Sequence, residues 1–455
     1  MSIPIGSEAA RIDFEARYPS IKARINAMLP IVLSSLTTEL MTKKRPIAVD
    51  LFAGAGGMTL GFEQAGFDVF ASVEIDPIHC AIHQFNFPFW TVICKSVEET
   101  TGKEIRNSSK IANQEIDVVF GGPPCQGFSL MGKRSFDDPR NSLVFHFIRL
   151  VVELQPKFFV LENVKGMTVG KHKEFIAEII SQFSESGYQV DANYQVLNAA
   201  NYGVPQNRER LFLLGARENI ELPKYPEKIT FPHQTSPTVW DALQDLPVIE
   251  NYPELYQQDW ILSEFGKPSN YAKKLRNLVT VKNNYSYQRQ YDPALLTSSL
   301  RTKHSSESIE RFASTPHGKI ESISRFHKLN PDGLCNTLRA GTPSNKGAFT
   351  SPRPIHPFIP RCITVREAAR LHSYPDWFRF HPTKWHGFRQ IGNSVPPLLA
   401  QAVAEEIIKV LDIKSSQPQG VKDLGDISLL TLDMSAAAKY FGVNPHVIEP
   451  RTRKK

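Results

Sequence analysis

A short apolar run, Ile47-Ala48-Val49-Asp50-Leu51-Phe52, interrupts the polar character of the first 45 residues and stops at Ala53-Gly54-Ala55-Gly56-Gly57. Met58 to Gly66 follows with helical spacing, and Phe67–Glu74 reads as a second strand. Strand, glycine turn, helix and strand in immediate succession form the βαβ unit of a parallel sheet. Strand-like segments recur at Ile116–Phe120, Lys157–Leu161, Tyr188–Val196 and Arg210–Leu214, with helix-like stretches between most of them. The pattern predicts an α/β doubly wound, Rossmann-like domain over 46–217, preceded by a leader at 1–45. After Arg217 no period of 2 or 3.6 is sustained and prolines are frequent, so 218–386 is expected to be a smaller, irregular domain. Helical patterning returns at Thr364–Leu371 and Pro396–Leu411. The tail, 412–455, opens on a Ser/Gln/Pro/Gly linker, and two short helices are expected within Met434–Val447.

Composition narrows the class. The 455 residues are 41% apolar and 22% charged, a globular balance that excludes a wholly disordered chain. No stretch approaches the ~20 apolar residues of a membrane span, and the N-terminus lacks a secretory core, so an intracellular protein is expected. The five cysteines, Cys80, Cys94, Cys125, Cys335 and Cys362, are odd in number and scattered, which argues against a disulfide framework or a cysteine-rich zinc site. His79 and His83 share a helix face but no third ligand follows, so no metal is expected and the segment reads as a surface helix. The net charge of +7 is contained entirely in Lys267–His304, where eight Lys and Arg accompany one acid, Asp292. Tyr271, Tyr285, Tyr287 and Tyr291 lie among these cations. Such a mixture suits either a nucleic-acid surface, where cations meet phosphates and rings meet bases, or a solvated basic loop.

Three segments carry chemistry. The glycine turn at 54–57 follows a first strand, where the backbone can approach a nucleotide-like cofactor. A full GxGxxG would need glycine at Thr59, so a pyrophosphate-bearing cofactor is poorly supported. Glu74, at the end of the second strand, can accept from both hydroxyls of a ribose, a combination that suits S-adenosylmethionine. In Gly121-Gly122-Pro123-Pro124-Cys125-Gln126-Gly127-Phe128-Ser129, glycines and prolines shape a rigid turn that presents one thiol past a strand end. The polar stretch that follows, Gln126–Arg140, suits a loop that closes over a polyanion. Glu162 ends an apolar strand, where burial would raise its pKa and favour the protonated acid. Arg208 and Arg210 lead into another strand at alternate positions.

In order, FAGAGG, Glu74-Ile75-Asp76, GGPPCQGFS, ENV, GVPQNRER, TVREAARLHSYPDWF and QIGNSVPPLLAQAVAEEI resemble the motif set of the cytosine-C5 DNA methyltransferases, of the prokaryotic restriction–modification type, over residues 47 to about 411. The resemblance implies S-adenosylmethionine as cofactor, with Phe52, Gly54, Gly56 and Gly57 at its methionine end and Glu74 on its ribose. Ile75, Pro124, Asn393 and Ser394 complete the pocket, so 387–411 returns to finish the first domain. Cys125 would attack C6 of a cytosine flipped out of duplex DNA, Glu162 would protonate N3, Arg210 would hold O2, and Arg208 would support the loop and neighbouring phosphates. The irregular domain would recognise the target, with Gln126, Ser129, Lys133, Arg134 and Thr337 on the DNA, while Arg361 and Arg366 would pack the two domains together. The family's adenine-binding Asp is missing at Cys94-Lys95-Ser96-Val97, where Ser96 or a backbone carbonyl would substitute. The implied setting is the cytoplasm of a prokaryotic cell. There a monomer would act on double-stranded DNA, beside a cognate restriction endonuclease with which it forms no stable complex. Alternatives are a tRNA cytosine-C5 methyltransferase and a catalytically silent DNA-binding regulator.

Overall fold

The structure, a computed structural model, describes residues 45–124, 142–170, 172–229, 236–341 and 353–448. Pro46–Lys455 forms one compact unit. Its centre is an eight-stranded sheet: β1 (Ile47–Leu51), β2 (Asp68–Glu74), β3 (Thr91–Cys94), β4 (Val118–Gly121), β5 (Phe158–Val164), β6 (Tyr188–Val190), β7 (Gln195–Asn198) and β8 (Glu209–Arg217). The order is β3-β2-β1-β4-β5-β8-β6, with β7 also paired to β8. Strands β1 to β5 run parallel, whereas β8 is antiparallel to β5, β6 and β7. The expected strand at Tyr188–Val196 is two strands, because Asp191 turns the chain and its side chain accepts from Asn193 N at 2.8 Å.

Alternate residues of the central strands feed two cores. Val49, Leu51, Val119, Phe159 and Leu161 face α4 (Ser142–Leu154) and α5 (His172–Glu185), after α3 (Gly102–Ser108) along the chain. Ala48, Val118, Phe120, Phe158 and Val160 face α1 (Gly57–Ala65) and a late helix, α11 (Pro397–Val410). Apolar helices on both faces explain why β1 is buried at every residue. Helix α2 (Pro77–Asn86) lies between β2 and β3 in sequence. Gly61 admits the return of α11, since a Cβ there would come within 2.5 Å of Ala400 Cβ and Pro397 O.

The irregular region holds α6 (Val239–Leu243), α7 (Asn270–Leu275), α8 (Ser306–Ser314), α9 (Val365–Arg370) and α10 (Lys384–Asn393). Two-residue pairs join β9 (Ile261–Leu262) to β11 (Leu295–Leu296), and β10 (Gln288–Arg289) to β12 (Val421–Lys422). A third core unites Leu60, Phe87 and Trp90 with Val239, Tyr271, Ile363, Tyr374 and Phe378. Arg361 and Arg366 are buried here, but as internal ties of the irregular region and not as the expected bridge between two domains: Arg361 pairs with Glu367 and Glu250, and Arg366 donates to Thr297, Pro375 and Phe378, all within 218–386. In place of two helices near the end, one helix, α12 (Met434–Phe441), is capped by Asp433 and stopped by Gly442 in the left-handed region. Among the described residues no helix is long and apolar enough to cross a membrane.

Candidate active site

The carboxyl ends of β1, β2, β4 and β5 lie along one edge, and the strand order reverses between β1 and β4. Such a switch point opens a crevice for ligands. One wall is the glycine turn after β1. Glu74 is oriented there by two backbone amides: Gly54 N donates to Oε2 and Asp76 N to Oε1, both at 2.8 Å. No atom lies within 4 Å of the point where a Gly54 side chain would begin, and Glu74 is half-buried. A partly open carboxylate with spare lone pairs, facing space beside a glycine, fits the two hydroxyls of a ribose. Ile75 next to it is exposed, and Phe52 is half-buried with φ 63°.

Residues that sequence reading missed hold this wall from behind. His83 Nδ1 lies 3.3 Å from Gly54 O and Nε2 lies 3.0 Å from Ser72 Oγ. A carbonyl only accepts, so Nδ1 carries the proton and Nε2 accepts from the serine. Burial lowers the His83 pKa to about 4, consistent with this neutral ring. Cys80 Sγ donates to Glu74 O at 3.3 Å. The expectation of a surface helix is therefore corrected: His79, Cys80 and His83 are all buried, because α2 packs against β2 and β3 on one side and the chain's C-terminal segment on the other. The i, i+4 spacing of the two histidines was visible, but nothing local showed that a second surface would cover them. Ser96 O already accepts from Glu99 N, Thr100 N and Thr100 Oγ1, so that carbonyl is not open to an adenine amino group.

The facing wall follows β4. Gly122-Pro123-Pro124 leads to Cys125, which lies outside the described residues, as do Gln126, Ser129, Lys133 and Arg134. Asn163 Nδ2 pins the turn through Pro123 O at 3.0 Å. Glu162 and Arg210 lie on the same sheet face as diagonal neighbours, since Glu162 pairs with Phe212 and Arg210 with Val164 across β5 and β8. Arg210 Nε is 2.9 Å from Glu162 Oε1. Gly122 allows the approach of the other oxygen: a Cβ there would lie 2.7 Å from Glu162 Oε2. Burial raises the Glu162 pKa, opposed by the charges of Arg210 and Arg208 and the Arg210 hydrogen bond. The four described cysteines are buried, and burial pushes Cys80, Cys335 and Cys362 away from the thiolate, Cys362 to about 12.

Arg208 departs from expectation. It is fully buried, and its guanidinium donates to Leu338 O at 2.8 Å, Gly392 O at 2.9 Å and Ser394 O at 2.7 Å. It supports the loop by tying three distant segments together, but it has no solvent face for a phosphate; that part of the expectation is corrected. Thr337, on the segment held by Arg208, donates from Oγ1 to Asn207 O at 2.6 Å. Ser394 and Val395 abut Gly57 at the start of α1, and Asn393 is exposed beside them.

The basic window also changes meaning. Arg289 is buried, paired with Glu63 at 3.0 Å and stacked near Phe89 and Trp377, and Tyr287 Oη donates to Asp68 Oδ1 at 3.0 Å. Tyr271 and Tyr291 donate to Arg370 O and Arg276 O. Arg289 and Tyr287 fasten the irregular region to α1 and the start of β2, at the sheet edge opposite the crevice, while Tyr271 and Tyr291 bond within the irregular region itself. Turned inward, these side chains are not available to a nucleic acid, whereas Lys267, Lys274, Lys282 and Lys303 of the same window are exposed.

Residues 47–409 match the C-5 cytosine-specific DNA methylase family. Type II methyltransferase M.XorII of Xanthomonas oryzae pv. oryzae is 58% identical over 409 residues, which cover 90% of this chain and 95% of that protein. Type II methyltransferase M.DdeI of Desulfomicrobium norvegicum is 34% identical over 79% of this chain and 88% of its own length. A crystal structure assigned as a DNA modification methyltransferase encoded within an E. coli prophage superposes with a TM-score of 0.66 at 34% identity, over 81% of this chain and all of that one. A doubly wound sheet whose glycine turn holds the Glu74 carboxylate across from the Gly122-Pro123-Pro124 segment, together with matches across most of the chain, leads to one assignment: the chain belongs to the C-5 cytosine-specific DNA methylase family and is a DNA (cytosine-5-)-methyltransferase.

Proposed function

We propose that this chain is the modification enzyme of a type II system, transferring a methyl group from S-adenosylmethionine to C5 of a cytosine flipped out of its duplex target. The pairing of Glu162 with Arg210, beside Gly122 in the Gly-Gly-Pro-Pro segment that leads in sequence to Cys125, carries this reading. Flipping is required because C6 is out of reach in a stacked duplex. Cys125, as thiolate, adds to C6 while Glu162 delivers a proton to N3, so that the electron pair released at C5 forms an enamine. Arg210, already held by Glu162, donates to O2 and keeps the ring in register. The cofactor supplies an electrophilic methyl on its sulfonium, and Phe52, Gly54, Gly56, Gly57, Glu74, Ile75, Pro124, Asn393 and Ser394 would hold it. Once C5 carries the methyl, a base removes the C5 proton, the thiolate leaves from C6 and N3 gives its proton back to Glu162, which restores the aromatic ring and the free enzyme. Arg208 acts as a positioning residue that fixes the start of β8 against 338–340 and 392–394.

Residues 218–386 would read the target sequence, with Thr337 at the edge and Gln126, Ser129, Lys133 and Arg134 closing over the DNA from the loop after Cys125. The enzyme would work as a monomer in a prokaryotic cytoplasm and protect sites cut by a restriction endonuclease that it does not bind. Incubating wild type and Cys125→Ala with labelled S-adenosylmethionine and duplex DNA tests the chemistry: transfer should be lost in the variant. Duplexes carrying 5-fluorocytosine should trap a covalent complex with wild type alone. Unimpaired transfer by Cys125→Ala, or labelling of tRNA in place of duplex DNA, would overturn the proposal.

A further inference from the structure

The region matched to the family ends at residue 409, yet the chain continues into an ordered segment that returns to the cofactor wall. Val421–Lys422 pairs with Gln288–Arg289, and Lys422 Nζ sits over the rings of Phe89 and Tyr287. Gly425 N then donates to Phe85 O at 2.8 Å, docking the chain on the last turn of α2. Leu429 and Leu430 are 3% exposed and form a separate small core with Ala81, Ile82 and Phe85 of α2 and with Ala55 of the glycine turn. Leu432 O lies 3.2 Å from His381 Nε2, just before α10. From α10, Arg389 Nη1 reaches Asp76 Oδ2 at 3.2 Å.

These contacts converge on the two amides that orient Glu74. Ala55 follows Gly54, whose N–H holds Glu74 Oε2; Asp76, which heads α2, holds Oε1. The small core includes Ala55, the residue after the first anchor, and the helix headed by the second. Its members are absent from the two cores of the sheet, so its loss leaves those cores intact.

We infer that residues 424–432 are a positioning element for the cofactor: a C-terminal strap that holds the glycine turn and α2 at the separation at which Glu74 meets the ribose. The inference rests on the reading of Glu74 as ribose ligand given above. A strap of this kind governs affinity for S-adenosylmethionine without touching it, through the backbone geometry of residues 54 and 76.

The test is calorimetric titration of S-adenosylmethionine, and of the demethylated product S-adenosylhomocysteine, into the full chain and three variants. Leu430→Ala should weaken both ligands about tenfold, the scale of a coupling between neighbouring sites. Leu430→Ile, which keeps the volume, should restore binding, and duplex DNA affinity measured by fluorescence anisotropy should be the same in wild type and both Leu430 variants. In steady state the change should fall on KM for the cofactor, with kcat retained at saturation. Unchanged cofactor affinity in Leu430→Ala, or equal losses of cofactor and DNA binding that follow the fall in melting temperature, would overturn the inference by reducing the strap to a general stabiliser. Glu74→Ala separates the two layers: if it binds the cofactor as wild type does, the ribose reading fails and the strap's proposed route fails with it. If Glu74→Ala is weakened while Leu430→Ala is not, only the strap is refuted.

Discussion

Glu162 illustrates how one side chain is tuned by opposed effects. Burial disfavours its charged form and raises the pKa, while two arginines pull the other way, and the net direction is upward. For an acid with a raised pKa, the protonated form persists to higher pH and is lost as pH rises through that value. The activity profile follows from the sign. In the proposed mechanism Cys125 gains thiolate as pH rises toward the ordinary thiol value of ~8.5, whereas Glu162 loses the proton it would deliver to N3, so kcat/KM should describe a bell. Glu162→Gln should lower kcat by about 10²-fold or more, in the range of general acid–base contributions, and should abolish the limb assigned to Glu162. Both are read from initial rates across pH 5 to 9. A variant whose profile keeps both limbs would show that another group supplies the proton. The sequence disclosed that Glu162 ends an apolar strand; it did not disclose that Arg210 would lie diagonally across, because that requires β8 to enter the sheet antiparallel beside β5.

At the scale of elements, buried arginines stand out. Arg370 of α9 is fully buried, with Nη1 2.9 Å from Asp245 Oδ1 and both Nε and Nη2 2.6 Å from the Asp376 carboxylate. Arg276 also reaches Asp245, at 3.2 Å. A guanidinium suits this role because its planar fork engages two carboxylates at once. Removing one member of such a set leaves a buried charge unpaired, which costs about 3–5 kcal/mol. Arg370→Ala should therefore lower stability by that amount, measured by urea unfolding, and should cripple the enzyme through folding rather than chemistry. The helix itself was legible: Thr364 and Glu367 form a reciprocal cap, and the apolar spacing of Thr364–Leu371 is helical. Its ion pairs were not, since Asp245 lies more than a hundred residues away in a segment without regular pattern. The same reason explains α2, whose histidines looked solvent-exposed until the C-terminal segment covered them.

For the whole molecule, packing ignores the division expected at residue 217. Met58, Phe62 and Phe67 lean on Leu399, Val403 and Ile407 of α11, and Leu60, Phe87 and Trp90 share a core with Tyr374 and Phe378. A fragment ending at residue 217 would expose all of these to water. Each fully buried large apolar side chain is worth about 1.5–3 kcal/mol relative to exposure, so the loss exceeds the 5–15 kcal/mol stability typical of a domain. Expressed alone, 46–217 should show helical far-UV dichroism without near-UV signal or a cooperative melt, and should bind a hydrophobic dye. A sharp thermal transition in that fragment would contradict the shared core.

What the sequence by itself determined was local or ordinal. The βαβ start, the residues at strand ends, the absence of a full dinucleotide fingerprint and the order of the motifs all follow from spacing along one chain. Tertiary structure alone decided which of the charged groups face each other. Arg208 became an internal strut, Arg289 and Tyr287 of the basic window became a fastening on α1 and β2, and the tail packed against α2 and Ala55 of the glycine turn. Hydrophobic periodicity encodes which face of an element is buried; it does not encode what covers that face. The charge of an arginine reads the same in sequence whether its partner is a phosphate or a carbonyl brought from 130 positions away.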